Sequence, residues 1–140
     1  MATELTGRCL CGGVRYRAVG GPLWVAHCHC ASCRRATGAP VATYAGFPVE
    51  RFSYSAGRPA RFASSPGVSR SFCGRCGTPL TYEGSRWPGE VHVLVGTLDR
   101  PDAVTPRSEA FVEERLPWLH LTLPAAADAG APDPEPAASS

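Results

Sequence analysis

Ser71-Phe72-Cys73-Gly74-Arg75-Cys76-Gly77-Thr78-Pro79-Leu80 joins two apolar runs through a Cys-x-x-Cys turn. Such a turn offers two sulfurs to one face, and Gly77 just after it permits the tight backbone. This is the form of a zinc knuckle, and a knuckle needs two further thiolates from elsewhere in the chain. Working outward, the remaining cysteines fall into two more groups, Cys9-Leu10-Cys11 and Cys28-His29-Cys30-Ala31-Ser32-Cys33, so all seven stand at metal-like spacing. In an extended strand residues i and i+2 point the same way, so Cys9 and Cys11 face one side. They close a four-thiolate site, the structural type, if an N-terminal hairpin packs beside the Cys73 turn.

The middle group has three thiolates and no obvious fourth. Three protein ligands and one open position is the catalytic pattern for zinc. Two other readings stand beside it: a second structural site closed by His27 or His29, and a set of redox thiols. In an extended run His27 and His29 face away from Cys28 and Cys30, which makes a local histidine ligand awkward. Cys33 falls in the first turn of a short helix expected over 31–37, where its thiolate is favoured.

Around these groups the chain reads as mainly β. Short alternating runs at 14–18, 23–26, 41–47, 58–63, 68–72, 80–82, 91–95 and 110–113 are separated by frequent Gly and Pro, which favours antiparallel sheet. The 31–37 segment, stopped by Gly38 and Pro40, is the one expected helix. Residues 3–123 form the expected domain. Residues 124–140 are Ala, Pro, Gly, Ser and acids, too poor in apolar side chains to offset ordering, and form an expected disordered tail.

The 140 residues suffice for one domain with a core of its own. All fourteen basic residues are Arg. The tail holds Asp128, Asp133 and Glu135, leaving nine acids against fourteen Arg in the expected domain, a formal +5. No Arg run exceeds Arg34-Arg35 and no aromatic residues interleave with basic ones, so the pattern speaks against nucleic acid as a partner. No stretch approaches the ~20 apolar residues of a membrane span, and the first residues lack the apolar centre of a signal peptide. A cytoplasmic setting with reduced thiols follows as the expectation, in which clustered cysteines bind metal or do chemistry.

Three segments resemble the glutathione-dependent formaldehyde-activating enzyme family, which shares a domain with centromere protein V. They are Gly7-Arg8-Cys9-Leu10-Cys11-Gly12-Gly13-Val14-Arg15-Tyr16, then Cys28-His29-Cys30-Ala31-Ser32-Cys33-Arg34-Arg35-Ala36-Thr37-Gly38, then the segment quoted first. The likeness runs on through 93–102 and 113–121. It implies coiled antiparallel sheets of the β-tent type, stabilised by zinc. It implies a structural zinc on Cys9, Cys11, Cys73 and Cys76 and a catalytic zinc on Cys28, Cys30 and Cys33, two ions per chain. It also implies a carbon–sulfur lyase acting on thiol–aldehyde adducts, such as S-hydroxymethylglutathione formed from glutathione and formaldehyde.

Zinc at an open position can hold a thiol as its thiolate, and a three-thiolate site is better suited to that than to strong carbonyl activation. The expected partners are therefore a small-molecule thiol and an aldehyde. Arg34 and Arg35, next to the cysteines, are candidates to bind substrate carboxylates. Tyr44, Trp24 and Trp87 are candidate pocket residues. No general base stands out among His27, His29, His92 and His120, and the sequence sets no oligomeric state. The competing function is a non-catalytic zinc-binding module that contacts protein or nucleic acid.

Overall fold

A computed structural model describes residues 3–124. The expected tail beyond Pro124 lies outside them. Ten strands occur among the described residues: β1 (Glu4–Arg8), β2 (Arg15–Val19), β3 (Trp24–Cys28), β4 (Ala42–Pro48), β5 (Phe52–Ala56), β6 (Ala60–Ser65), β7 (Val68–Phe72), β8 (Pro79–Gly84), β9 (Glu90–Leu94) and β10 (Ser108–Ala110). One α-helix accompanies them, α1 (Ala31–Thr37), with the bounds expected from the sequence. The fold is thus mainly β. Among the described residues no helix is long and apolar enough to cross a membrane.

The strands form a three-stranded sheet, β1-β2-β5, and a seven-stranded sheet in the order β10-β3-β4-β9-β8-β7-β6. Period-two alternation decides which residues meet between them. Leu5, Tyr16 and Ala18 face inward from the small sheet and pack against Val25, Ala45, Phe47, Leu80, Val91 and Val93 of the large one. The opposite phase of the large sheet carries Ala26, Tyr44 and Tyr82, which form a second buried group with Trp24, Trp87, Cys28, Cys30 and Cys33 beneath α1. β4 is therefore buried on both faces, which explains its nearly unbroken apolar run Ala42-Thr43-Tyr44-Ala45-Gly46-Phe47. Cys9 and Cys73 belong to the first buried group, so the two sets of cysteines lie on opposite faces of the large sheet.

Three expectations need correction. β1 and β5 are absent from the sequence-based set, because each offers only two inward-facing residues, Leu5 and Gly7 or Phe52 and Tyr54. The strand expected over 110–113 ends at Ala110, because Phe111 adopts a left-handed backbone, φ 57°, that breaks the extended run. β10 pairs parallel with β3, Ala110 opposite Cys28, against an otherwise antiparallel arrangement. The chain reaches that edge by a crossover from β9 rather than by a hairpin.

Candidate metal centres

Two loops build the first centre. β1 stops at Arg8, and Cys9 enters a turn in which the Gly12 amide donates to the Cys9 carbonyl, 3.1 Å, and the Cys9 amide to Val14, 3.0 Å. Gly12 takes φ 77° there. Cys9 and Cys11 thus converge by a turn and not by strand alternation, a correction to the sequence argument. The second loop closes through the Gly77 amide on the Cys73 carbonyl, 2.8 Å, with Gly77 at φ 82°. Backbone amides of Arg75 and Cys76 point at the Cys73 sulfur, both 3.4 Å away. The Leu10 amide donates to the Thr78 hydroxyl, 3.0 Å, and ties one loop to the other.

All four sulfurs, Cys9, Cys11, Cys73 and Cys76, lie within 4.8 Å of one another. Cys9 to Cys11 is 3.6 Å and Cys11 to Cys73 is 3.8 Å. A tetrahedron with metal–sulfur bonds of 2.3 Å has edges of about 3.8 Å, so the donor set fits such an ion. Hydrogen bonds from the Thr78 hydroxyl and amide lower Cys76 to about 5, which suits a thiolate ligand.

The second centre lies where β3 runs into α1. Cys28 ends the strand, and Cys30 caps the helix, its sulfur accepting from the Cys33 amide at 3.2 Å. The three sulfurs of Cys28, Cys30 and Cys33 are all buried and mutually within 4.8 Å, with Cys28 to Cys33 at 3.5 Å. They too could hold a metal ion. Neither His27 nor His29 belongs to the group. His27 bonds Thr43, 2.7 Å, from its Nδ1, and His29 pairs with Glu109, 2.8 Å, from its Nε2.

Of the three thiols, Cys33 is the one whose ionisation its neighbours favour most. Hydrogen bonds from Cys28 and Cys30 outweigh burial, and Tyr44 and Arg70 add to them, holding Cys33 down at about 2. The same sulfur contacts push Cys28 upward. The Tyr44 hydroxyl donates to Cys33 Sγ at 3.5 Å and accepts from Arg70 Nη1 at 3.2 Å. Arg70 Nη2 and Nη1 lie 3.9 and 4.0 Å from that sulfur. The guanidinium is fixed from outside by Nε donating to Ser64 and by the Tyr82 ring, 5.0 Å from Cζ. A cavity of about 250 Å3 opens beside Tyr44 and Arg70.

The model of a family described as glutathione-dependent formaldehyde-activating enzyme matches residues 4–114. The chain belongs to this family. A Halomonas elongata protein, provisionally named glutathione-dependent formaldehyde-activating enzyme, is 28% identical over 127 residues, covering 84% of this chain and 80% of that one. The fold is similar to the crystal structure of a Rhodobacter sphaeroides protein, with a TM-score of 0.61 and 22% identity over 75% of this chain and 99% of the other.

Within this member of the formaldehyde-activating family, the structure brings together both cysteine sets named from sequence. Arg34 sits beside the three-cysteine group. Its Nη1 donates to the backbone carbonyls of His29, 2.6 Å, and Glu114, 2.9 Å, so that nitrogen ties the start of α1 to the segment after β10. Arg35 is exposed. Tyr44 does line the cavity, whereas Trp24 and Trp87 pack on His92, at ring-centroid distances of 4.5 and 5.3 Å. Arg70 is the residue that sequence reasoning missed. Its signal was the alternation Val68-x-Arg70-x-Phe72, which sets a cation on a phase otherwise occupied by apolar side chains.

Proposed function

We propose that the protein is a zinc-dependent carbon–sulfur lyase acting on thiol–aldehyde adducts, with Cys28, Cys30 and Cys33 as the ligands of an open catalytic site. The family supports glutathione and formaldehyde as the reactant classes. The observation that carries the reading is the junction of the buried three-sulfur group with a cavity through Tyr44 and Arg70. Cys9, Cys11, Cys73 and Cys76 are assigned to a structural zinc. An all-sulfur donor set suits zinc better than magnesium or calcium.

Cys28, Cys30 and Cys33 would hold the zinc, which when bound would favour the thiolate form of a substrate thiol near neutral pH. The chain's own residues do the rest. Three thiolates make the site anionic, and Arg70 lies close enough to offset part of that charge. Tyr44 holds both Cys33 and Arg70 in register, its hydroxyl kept protonated by burial and by the negative sulfur beside it. In the adding direction the thiol gives up its proton and a sulfur pair forms the C–S bond. The carbonyl π pair moves to oxygen, which takes a proton. The reverse sequence splits the adduct.

The test combines metal content with turnover. Two zinc ions per chain are expected, and Cys33→Ser loses one ion and hemithioacetal turnover while the fold survives. Persistence of turnover in that variant overturns the reading.

A further inference from the structure

Residues 109–114 grip the Cys28–Cys33 segment from one side. The His29 amide donates to the Ala110 carbonyl, 3.0 Å, and the Ala31 amide to a Glu114 carboxylate oxygen, 3.1 Å. Arg34 Nη1, on α1, bridges the His29 and Glu114 carbonyls. One further bond joins two side chains, His29 Nε2 and Glu109 Oε1, at 2.8 Å. A carboxylate only accepts, so the Nε2–H donates.

His29 stands between two of the three cysteines, and its ring is fully buried, whereas the Glu109 side chain is 16% exposed. The other ring nitrogen, Nδ1, is buried and has no hydrogen-bond partner among the described residues. Glu109 is therefore the sole hydrogen-bond partner of that ring among them. Parallel pairing of β10 with β3 sets Glu109 opposite His27, two residues before His29. His27 is engaged elsewhere, through its Nδ1 to Thr43, which leaves the carboxylate to His29.

We propose that Glu109 is a positioning residue for the three-cysteine group. Through His29 it fixes the chain between Cys28 and Cys30, and so sets how tightly the three sulfurs hold a metal ion that it does not itself touch. Without Glu109 the His29 ring would keep a buried N–H with no acceptor, a costly state that the segment relieves by shifting. Sulfurs on a segment free to shift must then be ordered when the ion binds, at a cost in conformational entropy. The inference rests on the metal assignment of this group made above and is independent of the lyase chemistry.

Chelator competition on the zinc-loaded full chain tests it, with retained metal as the readout. The ion concerned is the one that Cys33→Ser removes. Loss of a partner that orients a ligand typically weakens metal binding about 10- to 100-fold, and Glu109→Ala is expected to weaken that ion's affinity by this factor. β10 keeps its backbone pairing with β3 in this variant. The ion assigned to Cys9, Cys11, Cys73 and Cys76 is the internal standard and should be unmoved, which a general loosening of the fold would not allow. Glu109→Gln retains an oxygen that accepts from Nε2–H. Charge-assisted bonds are roughly twice as strong as neutral ones, so this variant should recover about half of the loss on a logarithmic scale. Unchanged affinity in Glu109→Ala, an equal loss at both ions, or no recovery in Glu109→Gln overturns the inference and spares the metal assignment. A parent chain that binds only one zinc overturns both. The expected shift, with no turnover of any thiol–aldehyde adduct, upholds the inference and overturns the lyase reading.

Discussion

Arg70 Nη2 lies 3.9 Å from Cys33 Sγ, which joins β7 to the first turn of α1 across 37 residues of chain. A charge-assisted contact of this kind is worth about 1.5–3 kcal/mol. Arg70→Gln is therefore expected to lower kcat/KM on a thiol–aldehyde adduct by about 10- to 100-fold. Arg70→Lys should retain part of the loss, since it keeps the charge without the fork. Zinc content should stay at two ions in both variants. Steady-state kinetics with metal analysis decides the matter, and an unaltered kcat/KM in Arg70→Gln rejects the role.

The two cysteine sets should fail differently. Cys73→Ser removes a buried sulfur of the four-cysteine group, which links two loops of the sheet sandwich. Loss of a structural metal removes folding free energy directly, and a drop in Tm of more than about 10 °C is expected. Cys33→Ser should lose one zinc with a much smaller drop. Scanning calorimetry paired with metal analysis distinguishes them, and equal drops would contradict the division into structural and catalytic ions.

His92 sets an acid limit on stability. It is buried between Trp24, Tyr44, Tyr82 and Trp87, and burial lowers it from its ordinary 6.5 despite the bond to Glu90. As pH falls through 6.5 the unfolded chain takes up a proton that the folded chain resists. The unfolded state then binds more protons, so stability declines with falling pH below 6.5 and this contribution is constant above it. Urea midpoints from about pH 5 to about pH 8 should show that decline. His92→Gln should flatten it, and an identical slope in the variant would exclude His92 as its source.

Gly46 is required by Trp24. A Cβ at Gly46 would fall within the Trp24 indole, whose Nε1 is fixed by Glu90 at 3.1 Å. Gly46→Ala should cost about 1–3 kcal/mol through overpacking and shift the tryptophan emission. Denaturant titration followed by fluorescence reads both effects, and a stability equal to the parent refutes the steric account.

Much of the site was legible because cysteine spacing is local. Cys73-x-x-Cys76 and Cys28-x-Cys30-x-x-Cys33 each bring their sulfurs together within a turn or a strand–helix junction, and α1 shows plain stop signals at Gly38 and Pro40. β1 and β5 were harder to read because a small sheet with one inward face shows only two inward residues per strand. Arg70 and Glu109 act through partners 37 and 80 residues away, and such pairings depend on sheet order. The parallel edge strand β10 was hidden for the same reason, since nothing in Ser108-Glu109-Ala110 tells which strand will receive it.

That edge strand also bears on the order of assembly on the ribosome. Every sulfur of the four-cysteine group has been synthesised by residue 76, and the later residues that pack in its shared core lie between Leu80 and Val104. The Cys28 end of β3 waits for Ala110, whose carbonyl receives the His29 amide at 3.0 Å, and the first turn of α1 waits for Glu114, whose side chain caps Ala31 at 3.1 Å. Chains emerge N-terminus first, so in a nascent polypeptide the four-cysteine group can gather while the three-cysteine group still lacks its neighbouring strand. Completion of the three-cysteine group is thereby deferred until residue 114 has been made.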